Sequence, residues 1–239
     1  MIDLHCHLLW GMDDGSKSID ESLGLMRLAV KNSINAIVAT PHFNDYYNIE
    51  GFVRERENKA ETLRFEADAR KINIGIGTGA ELFLCDDVFA VDDFKPLSIN
   101  ESRYVLCEYQ LPLFDPKYAV LYAGKIFEKG FIPLIAHPER YKTFHENRWI
   151  VDELLDMGAL FQVNVPSLAG KGGETIKDFA TDLVLSGKVT ALGTDAHSPD
   201  RRTNDFIACR QMFDERISDE LVEKLTVKNS YKIISDKNL

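Results

Sequence analysis

Short runs of β-branched and small apolar residues alternate with amphipathic helical patterns along nearly the whole chain, and no other feature restricts the fold as strongly. Such succession builds parallel strands joined by crossover helices. Seven runs read as strands: "MIDLHCH" (1–7), "NAIVATPH" (35–42), "INIGIGTGAEL" (72–82), "RYVLCEY" (103–109), "FIPLIAHPER" (131–140), "ALFQVNV" (159–165) and "VTALGTDAH" (189–197). A length of 239 residues suits one α/β barrel, so residues 1–239 are expected to form a single domain.

Between the runs, Ser18 and Glu21 have capping-box spacing, and Ile19, Leu23, Met26 and Val30 follow a helical period. Residues 50–71 read as a charged surface helix, and 118–129 and 148–157 as later crossovers. Ile176, Phe179, Ala180, Leu183 and Val184 give an amphipathic helix over 175–186, ended by Gly187 and Lys188. Helical patterns over 202–213 and from Ser218 onward close the chain.

Polar residues suited to chemistry fall at the C-terminal ends of most runs. His5 and His7 share one strand face, with Cys6 on the other. Asp13 and Asp14 follow; later ends supply Thr40, Pro41 and His42, then Glu81, Glu108, His137, Glu139, Arg140, Asp195 and His197. In a closed parallel barrel these ends share one mouth. Five of the six histidines lie at such positions, whereas His145 reads as a surface or capping residue. Imidazole and carboxylate donors in this mixture suit Mn, Fe or Zn, and a bridging carboxylate such as Glu81 lets ions sit close together.

Other classes fit poorly. A formal charge of −10 opposes wrapping of nucleic acid. The sequence shows no signal peptide and no apolar run of membrane-spanning length, so a cytoplasmic protein without membrane insertion is expected. Cys6, Cys85, Cys107 and Cys209 form no CxxC pair and read as reduced thiols. "GIGTG" lacks dinucleotide-fingerprint spacing and reads as backbone clearance near the metal site; "AGKGGE" fails the P-loop pattern and reads as a flexible rim loop.

"MIDLHCH", "DDG", "ATPH", "GAE", "HPER" and "TDAHS", in this order, resemble the polymerase and histidinol phosphatase (PHP) superfamily. More closely, they resemble its bacterial tyrosine-protein phosphatases of the CpsB/CapC type, found with capsule and exopolysaccharide systems. The resemblance implies a distorted (β/α)7 TIM-like barrel. It implies nine metal ligands: His5, His7, Asp14, His42, Glu81, Glu108, His137, Asp195 and His197. His5, His7, Glu81 and Asp195 would hold one ion, Glu81, Glu108 and His137 a second, and Asp14, His42 and His197 a third. Two or three Mn2+ ions are expected, with Fe or Zn as alternatives. Arg140 resembles a phosphate-binding arginine, and Arg202 fits a second one better than Arg201.

The activity so implied is metal-dependent protein-tyrosine phosphatase, acting on a phosphotyrosine protein such as the tail of a bacterial tyrosine kinase. Metal-coordinated water supplies hydroxide near neutral pH, removing the need for a protein nucleophile. Phenol, with a pKa of roughly 10, leaves more readily than an alkyl alcohol. Phe43, Tyr46 and Tyr47 follow His42 and are candidates to pack against the substrate ring; ordinary loop packing is the alternative. Cysteine-dependent phosphatases place an arginine six residues after their nucleophile, but here Met12, Val91, Leu113 and Glu215 occupy those positions. A histidinol-phosphatase-like enzyme and a non-catalytic metal-binding partner module are the competing functions.

Overall fold

The computed structural model describes residues 1–44 and 46–239. Among them, nine strands occupy the seven expected runs: β1 (Ile2–Cys6), β2 (Ala36–Ala39), β3 (His42–Phe43), β4 (Gly75–Thr78), β5 (Glu81–Phe83), β6 (Tyr104–Glu108), β7 (Ile132–Ala136), β8 (Leu160–Asn164) and β9 (Ala191–Gly193). Every pairing is parallel. The second and third runs are each cut in two. Pro41 has no N–H to offer a neighbour, so β2 stops before it and β3 resumes after it. Across this gap the Gly79 N–H donates to Ala39 O at 2.9 Å and the Glu81 N–H to Pro41 O at 3.0 Å, which keeps the two interrupted runs in step.

One sheet has the order β1-β2-β4 and the other β3-β5-β6-β7-β8-β9. Because β2 leads into β3 and β4 into β5, the seven runs follow one another in chain order around a distorted (β/α)7 arrangement. The seam between the last run and the first is a single parallel bridge, Cys6 to Ala196, and not a ladder. The Asp195 N–H donates to His5 O and the His7 N–H to Ala196 O, both at 2.8 Å. Below them the buried Asp3 carboxylate accepts from the Thr194 N–H (2.9 Å), the Thr194 hydroxyl (2.5 Å) and the His5 N–H (3.3 Å).

The crossovers are α1 (Ile19–Lys31), α2 (Ile49–Ala69), α3 (Lys117–Glu128), α4 (Lys142–Glu146), α5 (Trp149–Asp156), α6 (Val165–Leu168) and α7 (Glu174–Leu185). After β9 come α8 (Phe206–Arg210), α9 (Asp219–Glu223) and α10 (Asn229–Ile234). Between β5 and β6 three short 3-10 turns stand in for a helix. Ser18 caps α1 by accepting from the Glu21 N–H, while the Glu21 carboxylate returns to the Lys17 N–H, one residue earlier than a capping box requires. Leu23 and Met26 are buried as their period implies; Val30 is exposed.

Two other expectations are corrected. The helix read over 202–213 shrinks to α8, because residues 198–205 spend their hydrogen bonds locally: Ser198 Oγ donates to Arg201 O and Thr203 Oγ1 to the Asp205 carboxylate. The "GIGTG" glycines clear space away from the metal donors: a Cβ at Gly75 would meet Ala36, and one at Gly77 would meet Asn100 and Val38.

Leu4, Val38, Tyr104, Leu106, Leu134 and Ala191 form one buried cluster, joined by Ile233 of α10. On β6, Leu106 and Glu108 share a face by the strand's period of two, so this apolar cluster is the floor on which the polar strand ends stand. Cys6, with Leu23, Met26, Ala60 and Leu63, belongs to the layer between strands and α1/α2. No helix among the described residues is long and apolar enough to cross a membrane.

Candidate metal centre

Four donor atoms from three distant runs meet at one point. His5 Nε2 lies 3.2 Å from Glu81 Oε2 and 3.5 Å from Asp195 Oδ1; His7 Nε2 lies 3.3 and 3.4 Å from the same two oxygens, and 3.3 Å from His5 Nε2. Donors placed about 2.1 Å from a shared tetrahedral centre are separated by roughly 3.4 Å. Glu81 Oε2 and Asp195 Oδ1 are buried and have no hydrogen-bond partner, despite this closeness to imidazole nitrogens. Each oxygen lies within 3.5 Å of both imidazole nitrogens, so a cation held by either carboxylate with His5 and His7 would satisfy these groups.

The remaining donors extend the cluster. Glu81 Oε1 lies 3.0 Å from His137 Nε2, which is 3.9 Å from Glu108 Oε2. His197 Nε2 and His42 Nε2 approach Asp14 Oδ1 at 3.3 and 3.5 Å. His42 also turns Nδ1 toward Glu81 Oε2 (3.1 Å) and Glu108 Oε1 (3.0 Å), so its ring stands between the second and third groupings. His137 can likewise join His5 and Asp195. All nine residues expected from the resemblance converge.

Local backbone explains how two donors are aimed. His137 and Asp195 have φ of +38° and +52°, conformations that cost energy in non-glycine residues and persist where surrounding contacts impose them. Each follows the last residues of a strand and turns its side chain back over the strand ends.

A second ring of polar groups fixes the imidazoles. Asp13 Oδ2 lies 2.7 Å from His7 Nδ1 and also accepts from the His42 N–H at 3.0 Å. Gln162 Oε1 lies 2.7 Å from His5 Nδ1, and Gln162 Nε2 donates to Asn164 Oδ1. Asn164 Nδ2 in turn donates to Asp195 Oδ2 at 2.8 Å. Such partners set ring orientation and ligand basicity. Gln162 and Asn164 carry no mark in the sequence beyond lying on an inward-facing strand end.

The charges are strongly coupled. Burial opposes charge on His5 and His7, but Glu81 and Asp195 lift His5, and Asp13, Asp195 and Glu81 lift His7 well above the usual histidine range. Glu81 and Asp195 fall well below the carboxylate range: against burial, His5 and His137 act on the first, and His5, His7 and Arg202 on the second. Burial and the neighbouring His7 push His197 down to about 4. Asp13, despite burial, is held at about 2 by His7.

Arg140 Nη1 and Arg202 Nη2 both donate to Asp195 Oδ2, at 3.1 and 2.6 Å. The loop from Ser198 folds back through a His197 N–H to Arg202 O bond, and of the two exposed arginines it is Arg202 that reaches Asp195. A cavity of about 470 Å³ opens beside the two arginines.

Other residues stay out of the centre. Phe43 is fully buried in β3, packed edge-on against Phe52 (4.9 Å) and Tyr46 (5.7 Å), so it has no free face for a substrate ring and serves the hydrophobic core. Tyr46 donates its hydroxyl to Phe83 O, and Tyr47 is exposed. His145 lies in α4, its Nε2 2.7 Å from Glu139 O and its ring against Phe179. Glu139, buried, accepts from the Asn164 N–H beneath the strand ends.

Comparison with known proteins gives the chain's family. A family model described as capsular polysaccharide synthesis, CpsB/CapC, matches residues 1–235. The tyrosine-protein phosphatase YwqE of Bacillus subtilis (strain 168) is 33% identical over 95% of this chain and 89% of its own length. CpsB of Streptococcus pneumoniae, also named a tyrosine-protein phosphatase, is 29% identical over 99% of each chain. A crystal structure from work on those two proteins, described as unique metal-dependent tyrosine phosphatases, superposes with a TM-score of 0.89 at 29% identity, covering 100% of this chain and 96% of that one. A zinc-containing histidinol phosphate phosphatase of Lactococcus lactis shares the fold, with a TM-score of 0.59 at 16% identity over 93% of both chains. The chain belongs to the CpsB/CapC family of capsular polysaccharide synthesis.

Proposed function

We propose that this chain is a metal-dependent protein-tyrosine phosphatase that works as one domain, with His5, His7, Asp14, His42, Glu81, Glu108, His137, Asp195 and His197 as its metal ligands. The observation that carries the reading is the convergence of buried, unpartnered carboxylate oxygens with histidine nitrogens at metal-ligand spacing. When bound, the ions supply an activated water and polarise phosphoryl oxygens.

The chain's own residues do the rest. Asp13 and Gln162 hold the His7 and His5 rings in the orientation that presents Nε2 to the centre. Arg140 and Arg202, parked on Asp195 Oδ2, have further guanidinium N–H groups to grip non-bridging phosphate oxygens and offset charge that grows during transfer. A phenolate leaving group departs with little acid assistance.

Mn2+ is the proposed metal, with Fe or Zn as alternatives, and the proposed substrate is the tyrosine-rich tail of a bacterial kinase controlling capsule or exopolysaccharide synthesis. Four unpaired cysteines, three of them buried, suit a reducing cytoplasm. The test is hydrolysis of a phosphotyrosine peptide before chelation, after it, and after Mn2+ is restored. Loss and recovery support the proposal; full activity in protein shown by elemental analysis to lack metal refutes it. Faster turnover of histidinol phosphate than of the peptide would shift the assignment to a small-molecule phosphatase.

A further inference from the structure

The cavity beside Arg140 and Arg202 is lined mostly by polar and charged groups, among them the two guanidinium groups, Asn164 and Asp195. Three carbon surfaces share that lining: the Pro166 ring at the start of α6, the Gly172 backbone, and the Ile176 side chain on the first turn of α7.

The loop between α6 and α7 carries Gly172 and leads into Ile176. Gly170 and Gly173 have φ of +81° and +95°, where a side chain is strained, so the turn itself accounts for them. Gly172 has no such φ. A Cβ there would sit 3.2 Å from both Ile176 Cγ2 and Cδ1, so the missing side chain at Gly172 leaves the Ile176 face uncovered. Ile176 is only half-buried although it is apolar and stands beside a charged site.

We propose that Pro166, Gly172 and Ile176 form a slot for the aromatic ring of an aryl phosphate, making them specificity-determining residues for the reaction. The inference rests on the phosphatase reading above. A phosphoryl group held by Arg140 and Arg202 would leave its ester substituent in the same cavity, where a flat apolar ring can pack against these carbon surfaces. An alkyl phosphate lacks the area to fill it. Exposed Lys171 and Asp200 border the same cavity, so it opens to solvent beside them and a ring attached to a polypeptide can enter without threading.

The test compares Ile176→Ser and Gly172→Val with the parent protein, all metal-loaded. Binding of phenylphosphonate and of inorganic phosphate is measured by calorimetry, alongside turnover of a phosphotyrosine peptide. Both variants are expected to weaken phenylphosphonate about tenfold, or about 1.4 kcal/mol, to raise KM for the peptide similarly, and to leave phosphate affinity within about twofold. Unchanged phosphate affinity also shows that each variant is folded. Unchanged phenylphosphonate affinity in both variants overturns the slot while leaving the phosphatase reading intact. Absence of peptide turnover in the metal-loaded parent overturns the phosphatase reading, and the slot with it.

Discussion

Asp195 divides its labour between two oxygens. Oδ2 receives Arg140, Arg202 and Asn164, whereas Oδ1 has no hydrogen-bond partner and faces the histidines. The arginines are therefore held at the edge of the metal donors by a group that also belongs to them. Arg202→Lys should keep the positive charge but lose the planar fork, lowering kcat/KM on a phosphotyrosine peptide by about 10- to 100-fold with metal content unchanged; activity within about twofold of the parent would remove Arg202 from phosphate handling. The histidines carry a pH prediction. His5, His7 and His42 are raised above the ordinary histidine range, against burial, by their carboxylate neighbours, so the metal-free protein holds protons that a ligand must give up. Metal binding should release protons and strengthen as pH rises from about 6 to 8, a trend visible as buffer-dependent heats of binding; heats independent of buffer would sink it. Imidazoles and carboxylates at strand ends marked the region of the centre, but that reading also held Asp13 and Glu139, and only the family resemblance picked out the nine proposed ligands. Asp13, Gln162 and Asn164 were not legible as positioning groups: Gln162 is 157 residues from the histidine it orients, and nothing local marks that pairing.

At the level of elements, the apolar runs were readable because parallel strands covered on both sides need near-continuous hydrophobic sequence. Pro41 was read inside one unbroken run although it cannot donate to a ladder, and the matching break at Gly79 and Ala80 depends on which strand lies alongside, which is a tertiary fact. The helix over 202–213 was over-read for a related reason: its apolar spacing is helical, yet Ser198 and Thr203 bond locally and pull Arg202 into a turn with φ of +48°. β9 shows how closely elements approach at the centre. A Cβ on Gly193 would sit 2.9 Å from Gln162 Nε2 and 3.0 Å from His5 Cβ, neither of which can withdraw without disturbing a donor. Gly193→Ala should destabilise the fold by about 1–3 kcal/mol in urea unfolding and weaken metal binding together. A stability loss with metal affinity intact would mean that β9 can shift without moving His5.

Across the whole molecule, the proposed ligands come from every run except the sixth, with the sixth supplying Gln162 and Asn164 behind them, so the centre ties residue 5 to residue 197 across a seam that has only one strand bridge. An unfolded chain scatters these donors over nearly its full length and cannot gather them, so metal binds the native state almost alone. At a free metal concentration of about 100 times Kd, one such site adds about 2.7 kcal/mol to stability. For a chain of this size that corresponds to a rise in Tm of roughly 5–10 °C. The rise should vanish on chelation and shrink markedly in His5→Ala, which removes a donor beside the seam. An Asp14→Ala variant, altering an exposed donor from the loop after β1, should retain most of the increment. Equal increments in the parent and in His5→Ala would show that metal stabilises the fold without His5, and that the seam beside it is held by Asp3, Thr194 and the backbone bridge.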